Sequence, residues 1–105
     1  QGIGAALMED CIYDDDSGQL VSGSFMDYSM PRAVDIPYFG LVAQETPAPG
    51  NPLGVKGAGE SGTIGAPSAI VNAVVDALWH LGVRNIEPPL TPARVREAID
   101  NCTNN

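Results

Sequence analysis

Groups that bind metals or form covalent crosslinks are scarce in this sequence of 105 residues. It has two cysteines, Cys11 and Cys102, near opposite ends of the chain, and one histidine, His80. Two cysteines do not make a framework of disulfides, so a reducing cytoplasm is the simplest setting. A zinc or iron site held by side chains needs several such ligands at short spacing. The sequence therefore predicts no metal held directly by protein ligands.

Positive charge and long apolar runs are scarce as well. Five lysines and arginines stand against thirteen acidic residues, which gives a net charge of −8. Nucleic acids and anionic membrane surfaces are bound by clustered basic residues, so both are argued against as partners. The longest apolar runs fall short of the ~20 residues of a membrane span, and we expect no membrane insertion.

Glycine is concentrated in one stretch, from Gly54 to Pro67. Glycine takes positive φ values and lets bare backbone approach a ligand, so this density predicts a shaped loop. Pro67 is a favourable first residue for a helix, whose free amides would attract anions. Lys56 adds positive charge, and Glu60 places one carboxylate in the middle of the loop. From the residues alone, Glu60 is either a catalytic acid or a structural acid near a helix start.

Familiar binding motifs fit the sequence poorly. A Walker-type phosphate loop has its lysine at the end, whereas Lys56 comes at the beginning. The stretch Gly57–Gly62 matches G-x-G-x-x-G, but a proline-rich connector at 47–52 precedes it instead of a buried strand. The acidic run Asp14–Asp16 fails the residue spacing of an EF-hand, which predicts a solvated turn rather than a calcium site.

The hydrophobic pattern predicts a single α+β domain over residues 1–105, with a small mixed sheet or hairpins and about three helices. The predicted helices run from Ile3 to Cys11, with Ile3, Leu7 and Cys11 on one buried face, from Pro67 to Leu81, and from Pro92, capped by Thr91, to Ile99. The predicted strands are a hairpin of Ile12-Tyr13 with Gln19–Val21, a short strand through Phe25 and Tyr28 that ends at Pro31, and strands at Ile36–Gln44 and Val83–Ile86. The end, Asn101–Asn105, is expected to be frayed.

Two features suggest that other protein surrounds this chain. The helix predicted over Pro67–Leu81 is apolar around most of its girth, as in a buried helix, so we expect it to pack on further protein or on another copy. The chain also opens at Gln1 without a methionine or a capping residue, which we interpret as part of something larger. Gly2 and Gly4 predict close packing of the first helix, with the close approach of another backbone or of a ligand as the alternative.

Several motifs together resemble one enzyme family. Asn51–Pro67 (NPLGVKGAGESGTIGAP) with the following Ala69–Leu78 is similar to the C-terminal signature of the molybdenum hydroxylase large subunit. Xanthine dehydrogenases, aldehyde oxidases and aerobic carbon monoxide dehydrogenases belong to this family. The stretches Gln1–Gly4 (QGIG), Gly23–Ala33 (GSFMDYSMPRA) and Pro89–Val95 (PLTPARV) resemble its carbon monoxide dehydrogenase-like branch.

The resemblance implies roles for the loop. The glutamate of the family's Gly-x-Gly-Glu motif matches Glu60, and it would act as the general base that activates the attacking hydroxyl. The residues implied to contact the cofactor are Gln1, Lys56, Gly57, Ala58 and Gly59. That cofactor is a molybdopterin, expected in the cytosine dinucleotide form. Its dithiolene holds the molybdenum, so no protein ligand to the metal is expected.

The resemblance also implies partners. These are the remainder of the large subunit and the subunits that carry iron–sulfur clusters and FAD, in a cytoplasmic oxidoreductase acting on a small molecule. Carbon monoxide, an aldehyde and an N-heterocycle are all compatible substrates, because the loop that selects the substrate is not in this sequence. The 105 residues alone are not expected to be active. The alternative is a non-catalytic assembly or binding module that keeps the same fold.

Overall fold

Four α-helices organise the computed structural model, which describes residues 1–103. They are α1 (Gly2–Leu7), α2 (Ser61–Ile64), α3 (Ala66–Leu78) and α4 (Pro92–Thr103). Two 3-10 turns, Ala33–Asp35 and Trp79–Leu81, complete the helical structure of the described residues. A long irregular segment joins α1 to α2 and passes through one isolated antiparallel bridge, between Tyr13 and Leu20.

The hydrophobic core is built around the connection between α3 and α4. Val83, Ile86 and Leu90 are the buried side chains of this cluster. The partly buried residues that pack against them come from α1, α3 and α4, namely Leu7, Val71, Val74, Leu78, Val95, Ala98 and Ile99. A hydrogen bond of 2.6 Å from the Leu90 amide to the Ala6 carbonyl joins the end of α1 to this cluster. The core therefore links the first and last parts of the chain.

The predicted α+β fold is wrong, because residues 1–103 contain no β-sheet. The segment Ile36–Gln44 makes no backbone hydrogen bond to another described residue, so its apolar pattern has no strand to pair with. Phe25–Tyr28 forms a turn, in which the Tyr28 amide bonds to the Ser24 carbonyl at 2.8 Å. In Val83–Ile86 the two apolar residues Val83 and Ile86 fill the core and do not lie in a sheet. An apolar segment becomes a strand only beside a neighbouring strand, which a local pattern does not reveal.

The predicted hairpin is reduced to a tight turn around one bridge. The Asp14 amide bonds to the Gln19 carbonyl and the Val21 amide to the Ile12 carbonyl, each at 2.8 Å. The Asp14 carboxylate accepts hydrogen bonds from the Ser17 hydroxyl at 2.6 Å and from the Ser17 amide at 2.8 Å. Gly18 follows with a φ of 68°, which favours glycine at that position.

The turn predicts a measurable shift in the titration of Asp14. The hydrogen bonds from Ser17, with that from its hydroxyl the largest cause, lower the pKa of Asp14 below the ordinary 3.8. The stabilisation of the folded chain by the ionised Asp14 carboxylate is therefore complete above pH 3.8, and it is lost as the pH falls through the lowered pKa of Asp14. Ser17→Ala should move the Asp14 pKa back towards 3.8, as followed by carboxyl NMR. Ser24→Ala is the control, since its hydroxyl bonds to Asp27, and an equal shift in this variant would contradict the assignment.

α1 is shorter than predicted and buries a different face. It ends at Leu7, where the amides of Met8 and Glu9 both bond to the Gly4 carbonyl at 2.9 Å. Its buried residues are the small ones, Gly2, Gly4 and Ala6, whereas the prediction placed Ile3, Leu7 and Cys11 on the buried face. A Cβ at Gly2 would lie 2.5 Å from the Gly62 carbonyl oxygen and 2.6 Å from Ala66 Cβ. Glycine is thus required there, as predicted, for close packing.

α3 confirms the predicted helix but not its burial. The α-helix spans Ala66–Leu78 and continues as a 3-10 turn to Leu81, and Gly82 then ends it with a φ of 93°. None of its residues is fully buried by the described part of the chain. By length and composition alone, the helical stretch Ser61–Leu81 could cross a membrane, contrary to our estimate of the apolar runs. This is weak evidence, because soluble core helices pass the same test, and one face of α3 packs on the hydrophobic core.

α4 begins as predicted and ends later. The Thr91 hydroxyl accepts a bond of 3.4 Å from the Arg94 amide, and the Thr91 carbonyl accepts one of 3.0 Å from Val95. The helix continues to Thr103, so residues 101–103 are not frayed as predicted. Residues 104 and 105 of the segment predicted to be frayed lie outside the described residues.

One ion pair connects α4 to the segment after α1. Arg94 Nη2 lies 3.1 Å from Asp10 Oδ2, and Arg94 Nη1 donates to the Pro89 carbonyl at 3.3 Å. We expect Arg94→Ala to lower the free energy of unfolding by about 1 kcal/mol, because this partly shielded group loses two hydrogen bonds.

Chemical denaturation of the chain measures this loss. Arg96→Ala is the matched control, since Arg96 pairs with Asp100 at 2.9 Å on the exposed face of the same helix and should show no measurable change. Equal losses in the two variants would contradict a specific role for the Arg94–Asp10 pair.

The chain is extended for its size. Its radius of gyration is 17.9 Å and its principal extents are 57 × 39 × 27 Å, whereas a compact domain of this length has a radius of about 13 Å. The extension comes from the irregular segment between α1 and α2, which leaves the core.

Candidate functional site

Asn51 fixes the base of the glycine-rich loop. Its side-chain oxygen accepts the amides of Leu53 at 3.1 Å and Val55 at 3.2 Å, and its Nδ2 donates to the Val55 carbonyl at 2.9 Å. Gly54 has a φ of 66°, and its carbonyl accepts the Ala48 amide at 2.9 Å. These bonds fold the connector back on itself, so the loop leaves from a defined position.

Glu60 lies at the junction between the loop and α2. It is the residue before the helix, with φ −103° and ψ −5°, and its side chain does not cap the helix. Its carbonyl accepts the Thr63 amide at 2.9 Å and the Thr63 hydroxyl at 3.0 Å. The Ser61 hydroxyl bonds to the Ala58 carbonyl at 2.8 Å on the other side of Glu60. The backbone at Glu60 is therefore held from both sides.

The carboxylate of Glu60, by contrast, makes no hydrogen bond or ion pair with residues 1–103, and the side chain is exposed. A structural acid near a helix start would form a hydrogen bond to the helix or stabilise its dipole. The Glu60 side chain forms no cap hydrogen bond to α2, so it contributes no structural hydrogen bond within the described part of the chain.

Gln1 is brought next to this loop by the packing of α1. A Cβ at Gly62 would lie 3.3 Å from Gln1 Oε1, so the amide side chain of Gln1 covers the start of α2. The contact depends on Gly2 as well, because that glycine lets α1 approach the Gly62 carbonyl. The predicted site residue Gln1 thus lies beside Gly62, in the helical turn that directly follows Glu60, although Gln1 and Glu60 are far apart in sequence.

The remaining predicted residues form an open strip of backbone. Gly57, Ala58 and Gly59 are exposed, and an added Cβ at either glycine would meet nothing within 4 Å. Lys56 donates from Nζ to the Thr46 hydroxyl at 2.9 Å, which turns its charge towards the connector. Lys56 therefore remains a candidate for attracting an anion to the loop, although the structure does not aim it at Glu60.

The site is a wall and not an enclosed pocket. One cavity of about 510 Å³ is lined by Met8, Phe25, Met26 and residues 28–32, which include none of the predicted site residues. Exposed groups here are the carboxylate of Glu60, the amide side chain of Gln1 and the unshielded backbone of residues 57–59. These groups can hold an anionic ligand by hydrogen bonds and accept a proton, once further surfaces exclude water.

Sequence reasoning missed α2 and the contact between Gln1 and Gly62. The turn Ser61–Ile64 is helical although it contains a glycine, because Ser61 and Thr63 bond back to the preceding carbonyls. The contact of Gly2 with Gly62 joins residues that are 60 positions apart. Their distance in the chain gave no indication that they meet.

Comparison with known proteins identifies the family. The model of the molybdopterin cofactor-binding domain matches residues 1–37, which include Gln1 but not the glycine-rich loop. The nicotine 6-hydroxylase large subunit of Paenarthrobacter nicotinovorans is 46% identical over 93% of this chain. The carbon monoxide dehydrogenase large chain of Hydrogenophaga pseudoflava is 38% identical over 81% of it. The chain spans only 12% and 11% of the length of these two relatives.

A solved structure supports the same relationship. The crystal structure of quinoline 2-oxidoreductase from Pseudomonas putida 86 is 48% identical and superposes with a TM-score of 0.84. The match covers 95% of this chain and 13% of that one. The extended path of the backbone is therefore shared with a segment of a much longer protein. On these grounds the chain belongs to the molybdenum hydroxylase large-subunit family, of which it corresponds to one segment, including part of the molybdopterin-binding domain.

Proposed function

We propose that this chain forms one wall of the active site of a molybdopterin-dependent hydroxylase, in which Glu60 is the general base. The supporting observation is the state of Glu60: its backbone is held by Thr63 and Ser61, while its exposed carboxylate has no partner among residues 1–103. A general base needs a fixed position and an available lone pair. Glu60 meets both requirements.

The residues around Glu60 suit the cofactor that the family binds. A molybdopterin is anionic, and when bound it supplies a molybdenum centre for oxidation of the substrate. Gln1 would hydrogen-bond the pterin, the exposed backbone of Gly57, Ala58 and Gly59 would donate to its oxygen atoms, and Lys56 would add positive charge. The open space at both glycines admits such close approach.

The chemistry assigned to this chain is removal of a proton. Glu60 would accept the proton of the attacking hydroxyl, and its carboxylate would then return that proton to solvent or product. Because α2 fixes the backbone, only the side-chain torsions of Glu60 need to adjust. If the rest of the subunit covers the loop, it would exclude water and strengthen the hydrogen bond between the Glu60 carboxylate and the attacking hydroxyl.

The wider assignments follow from the family. We infer a cytoplasmic enzyme with the cytosine dinucleotide form of the cofactor, which works with the remainder of the large subunit and with subunits carrying iron–sulfur clusters and FAD. The relatives are named as subunits or large chains, one of them in a dehydrogenase complex, which supports the need for partners. The test is Glu60→Gln in the assembled enzyme, with molybdenum content and turnover measured on the same sample.

A further inference from the structure

We propose that Thr46 is a positioning residue, which holds the ammonium group of Lys56 away from the carboxylate of Glu60. The inference rests on the proposed function for the role of Glu60 as a base. Lys56 Nζ donates to the Thr46 hydroxyl at 2.9 Å, whereas the Glu60 carboxylate has no partner among residues 1–103. A neutral residue outside the glycine-rich loop thus keeps the two charges of that loop apart.

Lys56 and Glu60 would otherwise attract each other. They carry the only two charges of the stretch Gly54–Pro67. They are four positions apart, so their Cα atoms lie at most about 14 Å apart even in an extended chain, and the lysine stem is long and flexible. An added Cβ at Gly57 or Gly59 would meet nothing within 4 Å, so the loop between the two charges is open. Packing of the described residues therefore does not prevent an ion pair between them.

An ion pair with Lys56 would make Glu60 a weaker base. A general base needs an unoccupied lone pair. An ammonium group in contact with the carboxylate occupies one lone pair and stabilises the negative charge that the base loses when it accepts the proton. The ion pair would also neutralise the positive charge that Lys56 is proposed to offer to the anionic cofactor. Separation of the two groups therefore serves the proposed roles of both.

The path of the backbone places Thr46 opposite Lys56. The connector folds back at Asn51, and beyond this turn the Ala48 amide bonds to the Gly54 carbonyl at 2.9 Å. This bond and the bond from Lys56 to Thr46 each join two positions that are equally far from Asn51 in the sequence. The contact between Lys56 and Thr46 therefore follows from the pairing of the two segments, and not only from the choice of a side-chain rotamer.

The residue type at position 46 suits this task. Thr46 stands before Pro47, and a residue before proline is restricted to extended backbone. Threonine is also branched at Cβ, which limits its first side-chain torsion. Its hydroxyl is a neutral acceptor, so it forms a strong hydrogen bond with the ammonium group without cancelling the charge. Lys56 makes no ion pair with the described residues, so its other N–H donors remain available for an anion.

Carbodiimide crosslinking of the assembled enzyme tests the proposal. The reagent joins a carboxylate to an amine, with loss of water, where the two groups are in contact, and tandem mass spectrometry locates the amide bond. Thr46→Val keeps the branched shape of the side chain and removes the acceptor. The yield of the amide between Lys56 and Glu60 should rise about fivefold in this variant, which is the population shift that an exposed ion pair can produce. An unchanged yield would overturn the proposal.

Thr46→Ser is the matched variant, because serine keeps the hydroxyl acceptor. Its yield of the amide should stay at that of the unchanged enzyme. An equal rise in Thr46→Val and Thr46→Ser would also overturn the proposal, because the rise would then come from the altered shape and not from the lost hydrogen bond. Crosslinking does not use turnover, so the amide can form in Thr46→Val even if Glu60→Gln remains active. The two proposals can therefore fail separately.

Discussion

Glu60→Gln in the assembled enzyme is expected to lower turnover by about 10²–10⁴-fold, the usual contribution of a general base, while the molybdenum content stays unchanged. Glutamine keeps the size of the side chain but cannot accept the proton. The backbone bonds from Thr63 and Ser61 do not involve the carboxylate, so the loop should keep its shape. The expected loss therefore lies in the chemical step and not in assembly.

Glu45→Gln is the control for this experiment. Glu45 is an exposed acid of the same irregular region, and the substitution removes the same charge. It should leave both molybdenum content and turnover close to normal. Near-normal turnover in Glu60→Gln would reject the assignment of the base and favour the non-catalytic module. Loss of molybdenum in Glu60→Gln would show that Glu60 holds the cofactor, which also contradicts the proposed role.

Gly2→Ala is expected to be the most damaging change outside the loop, although alanine is the better helix former. An alanine Cβ would lie 2.5 Å from the Gly62 oxygen and 2.6 Å from Ala66 Cβ, so α1 must move away. Such overpacking costs about 1–3 kcal/mol, which exceeds the roughly 0.5–1 kcal/mol that alanine gains over glycine in a helix. The shift also carries Gln1 away from Gly62.

Thermal unfolding and molybdenum content measure the two consequences of Gly2→Ala. The midpoint should fall by several degrees, at roughly 4–8 °C per kcal/mol for a domain of about this size, and molybdenum content should fall with it. Gly50→Ala is the matched control, because an added Cβ at Gly50 meets nothing within 4 Å. An unchanged or raised midpoint in Gly2→Ala would show that the contact between α1 and α2 is looser than described.

The parts of the fold that were predictable depend on local signals. Gly82 was predicted to end a helix and Thr91-Pro92 to begin one, because these residues act on backbone groups only a few positions away. Both predictions are confirmed. The sheet was wrongly predicted because pairing requires a second strand, which Ile36–Gln44 does not have among the described residues. The predicted burial of α3 is wrong for residues 1–103, because the described part of the chain covers only the face that packs on the hydrophobic core.

In the candidate site, too, local features could be predicted from the sequence and contacts between distant residues could not. Glu60 could be singled out from sequence because one acid stands among glycines, and the structure leaves that carboxylate without a partner. The contact between Gln1 and Gly62 could not be predicted from the spacing of motifs in the sequence, because it follows from the way α1 packs on α2 and α3. The bond from Lys56 to Thr46 was also invisible, since neither residue belongs to a regular element. The roles of all these residues in catalysis or cofactor binding stay predictions.

The pair between Asp10 and Arg94 has a consequence for synthesis of the chain. Its partners are 84 positions apart, so at about 5–20 residues per second the ribosome adds Arg94 some 4–17 s after Asp10. The contacts of Gly2 with Gly62 and Ala66 form only after more than half of that interval has passed, and a six-residue helix is not stable alone. The start of this segment therefore reaches its final packing several seconds after it is synthesised.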